Sequence, residues 1–185
     1  MSDLSVMVVG CGDVGGRLAL QMLGKGWQVS GLRRAVGQLP AGVQPVAADL
    51  AEPSIPQAWP QGPLDYLVYC VAASQHDEAG YQAAYVDGLR HVLAWLAERG
   101  QRPRRLLFVS SSSVYAQKDG EWIEEGAATE PEGYSGRVML EAERLALASG
   151  IPASVVRLTG IYGPGREWLL SQVRQGYRVA EEPPL

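Results

Sequence analysis

The sequence predicts an α/β fold, a doubly wound parallel sheet with helices packed on both faces. Short, almost wholly apolar segments alternate with segments of helical periodicity, which is typical of parallel strands buried on both sides. The first apolar segment runs into a glycine-rich turn that opens a helix. The chain has 185 residues, of which 46% are hydrophobic and 19% charged, so we expect one globular domain with a sizeable core.

The first half of the chain is predicted to contain three strands and one helix. The strands are short apolar runs at residues 6–9, 27–32 and, more weakly, 46–48. The helix covers residues 13–25, where apolar side chains recur every four positions on one face, and Gly24 and Gly26 end it. A proline-rich stretch at residues 53–63 resists long regular structure.

The second half continues the alternation and completes the sheet. The predicted strands are the apolar runs at residues 65–71, 106–109 and 154–158. The predicted helices cover residues 81–99 and 132–149, and Gly150 and Pro152 end the second of them. A sheet of this kind binds its ligand at the carboxyl ends of the strands.

The turn between the first strand and the first helix spells Gly-x-Gly-x-x-Gly at Gly10, Gly12 and Gly15. The first glycine permits a tight turn, the second lets the backbone approach a pyrophosphate, and the third lets helix and strand pack closely. The helix beginning at Asp13 and Val14 points its free N–H groups and positive dipole end at the phosphates. Because the motif lies between a strand and a helix, it predicts a dinucleotide-binding Rossmann fold. The alternative is a glycine-rich turn that binds nothing.

The residues after the second strand bear on which dinucleotide is bound. An NAD-binding unit carries Asp or Glu about 20 residues past the glycines, on the ribose 2′-hydroxyl. Here the segment reads Ser30-Gly-Leu-Arg33-Arg34 and contains no carboxylate. Because arginine makes bidentate, charge-assisted hydrogen bonds to phosphate, Arg33 and Arg34 predict a preference for NADP over NAD. The alternative is a pair of solvated loop arginines.

The charge and the apolar runs of the chain argue against two classes of partner. The formal net charge is −4, and the basic run from Arg102 to Arg105 is interrupted by Pro103, so we expect no nucleic-acid binding. No apolar run reaches the ~18 residues that span a membrane. The first residues include Asp3 and lack a basic region, which does not fit a signal peptide and favours the cytoplasm.

Cysteine and histidine are too sparse to indicate a metal site. Cys11 and Cys70 each follow an apolar strand, so we expect buried free thiols rather than a disulfide. His76 and His91 are too few and too far apart in sequence for a metal cluster. We therefore expect no bound metal.

Five segments after the glycine motif recur, in the same order, in one enzyme superfamily. They are Ala48-Asp49-Leu50, Cys70-Val71-Ala72-Ala73, Tyr85-Val-Asp-Gly-Leu89, Phe108-Val-Ser-Ser-Ser-Ser-Val-Tyr115 and Arg157-Leu-Thr-Gly-Ile-Tyr-Gly-Pro-Gly165. With them, the chain resembles the short-chain dehydrogenase/reductase superfamily, in its extended or atypical branch of NAD-dependent epimerase/dehydratase-like proteins. The resemblance covers nearly the whole chain.

The resemblance implies roles for the matching residues. Asp49 and Leu50 would contact the adenine, and the backbone of Ala72 and Ala73 would line the cofactor. The hydroxyl of Ser111 would hold the reacting oxygen, with Ser112 as the alternative if the register is off by one. In the family, a tyrosine then moves a proton between the enzyme and the substrate while a hydride passes to or from the nicotinamide.

Two departures from the family pattern put the chemistry in doubt. Tyr134 stands at the start of the expected helix as the candidate proton-transfer residue, but Val138 occupies the position of the lysine four residues later. Arg137 is adjacent, yet it is rotated about 100° around the helix from position 138. Tyr85 replaces the asparagine that supports a proton relay in the family.

Two functions follow from these observations. The first is an NAD(P)-binding epimerase/dehydratase-like oxidoreductase that acts on a nucleotide-sugar or similar hydroxyl substrate. The second is a catalytically impaired NADP-binding sensor or scaffold module. We favour the enzyme slightly, because family descent usually carries activity with it, although a fold alone does not fix a function.

The predicted domain organisation ends in a short C-terminal region. Residues 1–165 form the dinucleotide-binding domain, and residues 166–185 begin a substrate region that is largely absent from this chain. Its absence would leave an apolar edge exposed, which favours association into homo-oligomers. Substrate specificity is expected to lie in the missing part, so the sequence does not name the substrate.

Overall fold

The computed structural model describes residues 4–117 and 120–176. Six strands form one sheet in the order β3-β2-β1-β4-β5-β6, and every neighbouring pair is parallel. The strands are β1 Ser5–Val9, β2 Gln28–Arg33, β3 Gln44–Ala47, β4 Tyr66–Tyr69, β5 Arg105–Ser111 and β6 Ala153–Leu158. The predicted doubly wound α/β fold is confirmed.

Within the described residues, five α-helices, one π-helical segment and two 3₁₀ turns connect or follow the strands. The α-helices are α1 Asp13–Gly24, α2 Glu78–Tyr81, α3 Gly88–Glu98, α4 Tyr134–Leu147 and α5 Trp168–Arg174. A π-helical segment, Gln82–Asp87, joins α2 to α3, and 3₁₀ turns cover Val36–Gln38 and Ser112–Val114. The sequence patterns did not predict α5, the π-helical segment or the 3₁₀ turns.

The predicted helix at residues 81–99 begins earlier than its apolar pattern indicated. Asp77 caps α2, because its carboxylate accepts a hydrogen bond of 2.7 Å from the N–H of Gly80. An aspartate in that position satisfies one of the free N–H groups of the first turn, so the helix starts at Glu78.

Alternate residues of the central strands face two separate cores. On one face, Val6 and Val8 of β1 pack against α1. On the other, Met7 and Val9 face the larger core that α3 and α4 cover. Because successive side chains of a strand point to opposite faces, this alternation means that helices bury both sides of the sheet.

The proline-rich stretch is irregular but anchored to the larger core. Trp59 is 1% exposed, and its ring meets that of Trp95 edge-on with centroids 5.4 Å apart. The indole N–H of Trp59 donates to the side-chain oxygen of Gln101 at 2.8 Å, and that of Trp95 donates to the carbonyl of Pro53 at 2.7 Å. Buried tryptophans whose N–H groups are satisfied hold this segment where regular structure does not.

The strand order places a crevice at the centre of the sheet. β1 pairs with β2 on one side and with β4 on the other, so the connections after these strands leave the sheet in opposite directions. Open α/β sheets bind ligands at such a point, outside the carboxyl ends of the strands.

Exposed apolar side chains lie toward the C-terminal end of the described chain. They include Ile161, Tyr162, Leu170 and Val173. Of the C-terminal region expected at residues 166–185, residues 177–185 lie outside the described part. In the described part of the chain, each helix is too short or too polar to span a bilayer.

Replacing Gly136 with alanine should destabilise the fold, although alanine is the better helix former. A Cβ at position 136 would overlap the carbonyl oxygen of Ser113 and the Cβ of Pro131, because α4 packs directly on the turn after β5. We expect the free energy of unfolding in urea to fall by about 1–3 kcal/mol, the usual effect of overpacking.

Gly24→Ala in α1 is the matched control for this experiment. A Cβ there meets no atom of the described part of the chain within 4 Å, so the substitution should raise the free energy of unfolding by up to about 1 kcal/mol through helix propensity alone. Stabilisation by both substitutions would contradict the close packing of α4 on this turn.

Candidate functional site

A cavity of about 880 Å³ opens at the carboxyl edge of the sheet. Residues at or just after the ends of the six strands line it. They lie in the ranges 10–14 (without Cys11), 32–35, 48–51, 70–75 (without Ala73), 109–112 and 158–161. Its volume is within the range of about 300–1,000 Å³ that ligand sites occupy.

The first and third glycines of the motif are required by close packing. Gly10 has a φ of +83°, and a Cβ there would lie 2.6 Å from the backbone nitrogen of Val71. A Cβ at Gly15 would lie 2.7 Å from the carbonyl oxygen of Gly10 and 2.8 Å from the Cys70 sulfur. The turn and the start of α1 therefore lie directly against the end of β4, with no room for side chains between them.

Gly12 faces the cavity and leaves space for a ligand. Among residues 4–117 and 120–176, the atom that a Cβ there would approach within 4.0 Å is the Gly10 carbonyl oxygen. Gly12 is also the N-cap of α1 and has no side chain to accept hydrogen bonds from the first-turn N–H groups. Together with Asp13 and Val14, it gives the cavity wall an open helix N-terminus that fits a phosphate group.

Two arginines at the end of β2 border the cavity beside the glycine turn. The guanidinium of Arg33 donates to the side-chain oxygen of Gln38 at 2.5 Å and to the carbonyl of Cys11 at 3.4 Å. Arg34 is exposed and also lines the cavity. Hydrogen bonds therefore hold Arg33 in place beside the glycine turn.

Two further segments continue the wall after β3 and β4. Asp49 and Leu50 both line the cavity, and the carboxylate of Asp49 accepts a hydrogen bond of 3.1 Å from the N–H of Ala51. Ala72 lines the cavity as well. The expected position of these residues at the cofactor site is thus compatible with their place in the fold.

Tyr85 supplies a hydroxyl to the cavity that sequence reasoning did not assign to the site. It belongs to the π-helical segment, is 9% exposed, and lines the cavity. Its hydroxyl accepts a hydrogen bond of 3.3 Å from the N–H of Ala73, a predicted cofactor-contact residue that is not in the cavity lining. Burial raises the pKa of Tyr85, so the group is a protonated hydroxyl at neutral pH.

Both cysteines are free thiols near the glycine turn. Cys11 is buried, and Cys70 is half-buried and lines the cavity. Burial raises the pKa of Cys70 to about 12, and it raises that of Cys11 against the opposing effect of Arg33. Neither sulfur is a nucleophile at neutral pH, because the thiolate is the reactive form.

The two predicted catalytic residues occupy different surroundings. Ser111 lines the cavity, as does Ser112, and the Ser111 Oγ accepts a hydrogen bond of 3.2 Å from the N–H of Ser113. Tyr134 does not line the cavity: its hydroxyl donates to the carbonyl oxygen of His76 at 2.6 Å, and its ring meets that of Tyr81 edge-on. The structure therefore brings the serine to the cavity and leaves the tyrosine at its margin.

Helix α4 presents an apolar residue to the cavity. Val138, which occupies the expected lysine position, is 4% exposed and packs in the larger core. Met139, one residue later, lines the cavity. Neither side chain can donate a hydrogen bond or carry charge.

A buried ion pair supports the serine segment from behind. Glu143 of α4 is 2% exposed and accepts two hydrogen bonds from the Arg157 guanidinium, at 2.9 and 2.7 Å. The same carboxylate accepts a hydrogen bond of 2.5 Å from the Ser110 hydroxyl. Arg157 also donates to the hydroxyl of Tyr115 at 2.8 Å. Sequence reasoning missed Glu143, although an arginine in an apolar strand is a signal that an acidic partner lies nearby.

Comparison with known proteins identifies a family and a fold. The model of the NAD dependent epimerase/dehydratase family matches residues 6–178. A provisionally described NAD-dependent epimerase/dehydratase from Methylobacillus flagellatus is 36% identical, with a TM-score of 0.75, over 96% of this chain and 63% of that one. The Bordetella bronchiseptica enzyme WbmG, solved with NAD and UDP, is 18% identical, with a TM-score of 0.71, over 95% of this chain and 61% of that one. The likeness to WbmG shows the fold alone.

The chain also matches only part of the length of a curated relative. Protein YeeZ of Escherichia coli strain K12 is 27% identical over 167 residues, which are 87% of this chain and 60% of YeeZ. The chain thus spans about three fifths of the length of the relatives it matches.

Glu143→Gln should destabilise the protein strongly. The substitution leaves the Arg157 guanidinium without a carboxylate partner in a largely buried site, and breaking a buried pair in this way costs about 3–5 kcal/mol. We expect urea denaturation to show that the free energy of unfolding falls by this amount.

Glu141→Gln on the same helix is the control. Glu141 pairs with Arg90, and both side chains are about half exposed, so its loss should change the free energy of unfolding by less than about 1 kcal/mol. Equal effects of the two substitutions would show that the Glu143 pair is no more important than a surface contact.

Proposed function

The chain belongs to the NAD-dependent epimerase/dehydratase family, and from this we propose that it binds a nicotinamide dinucleotide in the cavity at the carboxyl edge of the sheet. The open N-terminus of α1 at Gly12 carries this proposal, because a side chain there would occupy the space that a phosphate needs. Gly10, Asp13 and Val14 would complete the phosphate cradle, and Gly15 would let α1 approach it.

The remaining cofactor contacts follow from the residues around the cavity. Asp49 and Leu50 would contact the adenine, and the backbone of Ala72 and Ala73 would line the middle of the cofactor. Arg33 and Arg34 would hold a 2′-phosphate, which favours NADP over NAD. The support for this preference is charge: two guanidiniums line this part of the cavity, and Gln38 already orients one of them.

Arg33→Asp should reverse the cofactor preference. Hydrogen bonds to charged groups contribute about 1.5–3 kcal/mol, so calorimetry should show NADP binding weakened by about tenfold or more, with NAD binding retained or improved. Arg102→Asp makes the same charge change just before β5, at the amino ends of the strands and away from the cavity, and it should leave both affinities unchanged. An unchanged preference in Arg33→Asp would remove the basis for NADP.

The reaction we propose is that of an epimerase/dehydratase-like oxidoreductase acting on a nucleotide-sugar or a similar hydroxyl substrate. The bound nicotinamide would accept or return a hydride. Ser111 would hold the reacting oxygen, since its Oγ already accepts the Ser113 N–H and its own proton is available to a substrate. Tyr134 would exchange a proton with the substrate after leaving the carbonyl of His76.

A second candidate is an NADP-binding sensor or scaffold without turnover. It is favoured by α4, which presents Met139 to the cavity and buries Val138 in the core. Neither Met139 nor Val138 carries a charge that could lower the pKa of a tyrosine, which is about 10 for the free side chain.

Tyr134→Phe separates the two candidates. Proton transfer by a positioned side chain contributes about 10²–10⁴-fold, so the enzyme should lose at least about 100-fold in kcat with a panel of UDP-sugars. The affinity for NADP, measured by calorimetry, should not change. Absence of turnover in both the parent chain and the variant, with NADP still bound, would favour the sensor.

We propose the cytoplasm as the compartment, supported by the two free thiols. The boundary of the dinucleotide-binding domain is proposed at residue 165, with residues 166–185 as the start of a substrate region.

Self-association through the C-terminal end of the described chain is also proposed. It is supported by the exposed side chains of Ile161, Tyr162, Leu170 and Val173, and light scattering at increasing protein concentration tests it.

A further inference from the structure

The Tyr-Gly-Pro-Gly motif after β6 forms a tight turn that ends at Arg166. Gly163 has a φ of 145° and Gly165 a φ of 82°, which are backbone conformations that side chains rarely tolerate. The N–H of Arg166 donates to the carbonyl of Gly163 at 2.8 Å, and these two residues form an antiparallel bridge. The glycines of the motif therefore serve to reverse the chain and to present Arg166.

This turn is fastened to the first turns of α1. The Arg17 guanidinium donates to the carbonyl of Pro164 at 2.7 Å and to the carboxylate of Asp13 at 2.8 Å. Arg166 donates through its Nε to the other oxygen of the same carboxylate. Two arginines and one aspartate thus join the turn to the helix whose N-terminus faces the cavity.

Arg166 and Arg17 differ in where they lie. Arg166 lines the cavity together with Gly10, Gly12 and Asp13, whereas Arg17 is not in the cavity lining. The Arg166 side chain is 42% exposed, and its hydrogen bond to Asp13 uses only Nε, which leaves its terminal N–H groups able to reach a second anion.

The charge around the cradle supports an anion at this position. Hydrogen bonds from Arg17 and then from Arg166 lower the pKa of Asp13, so its carboxylate is ionised at neutral pH. A lone carboxylate at the N-terminus of α1 would repel a phosphate. With two guanidiniums beside it, the local charge is positive, in the direction that the helix dipole already favours.

We propose that Arg166 binds the pyrophosphate of the dinucleotide, and that its turn closes over the phosphate cradle as a clasp. The proposal rests on the cofactor site proposed above. Asp13 holds Arg166 at the cradle, and the guanidinium then bridges this carboxylate and the pyrophosphate oxygens. This gives the glycines of the Tyr-Gly-Pro-Gly motif a binding function in addition to their structural one.

Calorimetry with three ligands tests the clasp. NADP carries both a pyrophosphate and a 2′-phosphate, ADP carries only the pyrophosphate, and 2′-AMP carries only the 2′-phosphate. We expect Arg166→Ala to weaken NADP and ADP by about tenfold and 2′-AMP by less than twofold, because only the pyrophosphate loses a charged partner. Arg33→Asp should show the complementary pattern, with 2′-AMP weakened and ADP nearly unchanged.

Two controls keep the outcome interpretable. Arg102→Ala removes the same charge at the amino ends of the strands, away from the cavity, and it should not change the affinity for any of the three ligands. The thermal midpoint of Arg166→Ala should lie close to that of the parent chain, because an ion pair as exposed as that of Arg166 with Asp13 contributes less than about 1 kcal/mol and Arg17 still joins Asp13 to the turn. Parent-like ADP and NADP affinities in Arg166→Ala would overturn the clasp while leaving the cofactor site intact. Failure of the parent chain to bind NADP or NAD would overturn the site itself.

Discussion

The contact between the start of α1 and the end of β4 is the constraint on which the rest of the site depends. Gly10 and Gly15 allow it, since a Cβ on either would come within 2.7 Å of backbone atoms. This close approach fixes the N-terminus of α1 at the point where the connections from β1 and β4 diverge. The helix dipole and the free N–H groups of the first turn consequently point into the cavity, whatever ligand enters it.

A second anchor holds the opposite wall. The carboxylate of Glu143 receives hydrogen bonds from Arg157 on β6 and from Ser110 at the end of β5, so one buried group ties α4 to two adjacent strands. Such a pair is strongly destabilising to break, because the remaining charge stays buried. Ser111, next in the chain to Ser110, therefore stands on a rigid base, as its proposed role in holding a substrate oxygen would require.

Local patterns in the sequence predicted the doubly wound parallel sheet, the glycine turn and the two arginines at the end of β2, but not the order of the strands. Local patterns did not predict which residue of α4 lines the cavity. Adjacent helical residues differ in direction by about 100°, and the choice between Val138 and Met139 is set by the packing of Gly136 on Ser113. The partners Glu143 and Arg166 were missed for a related reason: each contact joins residues distant in sequence, and no local spacing reports it.

The two halves of the site place different demands on the sequence. The proposed cradle for the cofactor would be built from backbone, glycine and arginine, and it would not require any side chain of α4. The chemistry expected of the family does require α4, where this chain carries apolar residues next to the cavity. The net charge of the chain is −4, yet Arg33 and Arg34 lie along the cavity near β2, and Arg166 lies at the glycine turn. In the proposed cofactor site, attraction of a dinucleotide would therefore come from this local arrangement of arginines rather than from the net charge of the chain.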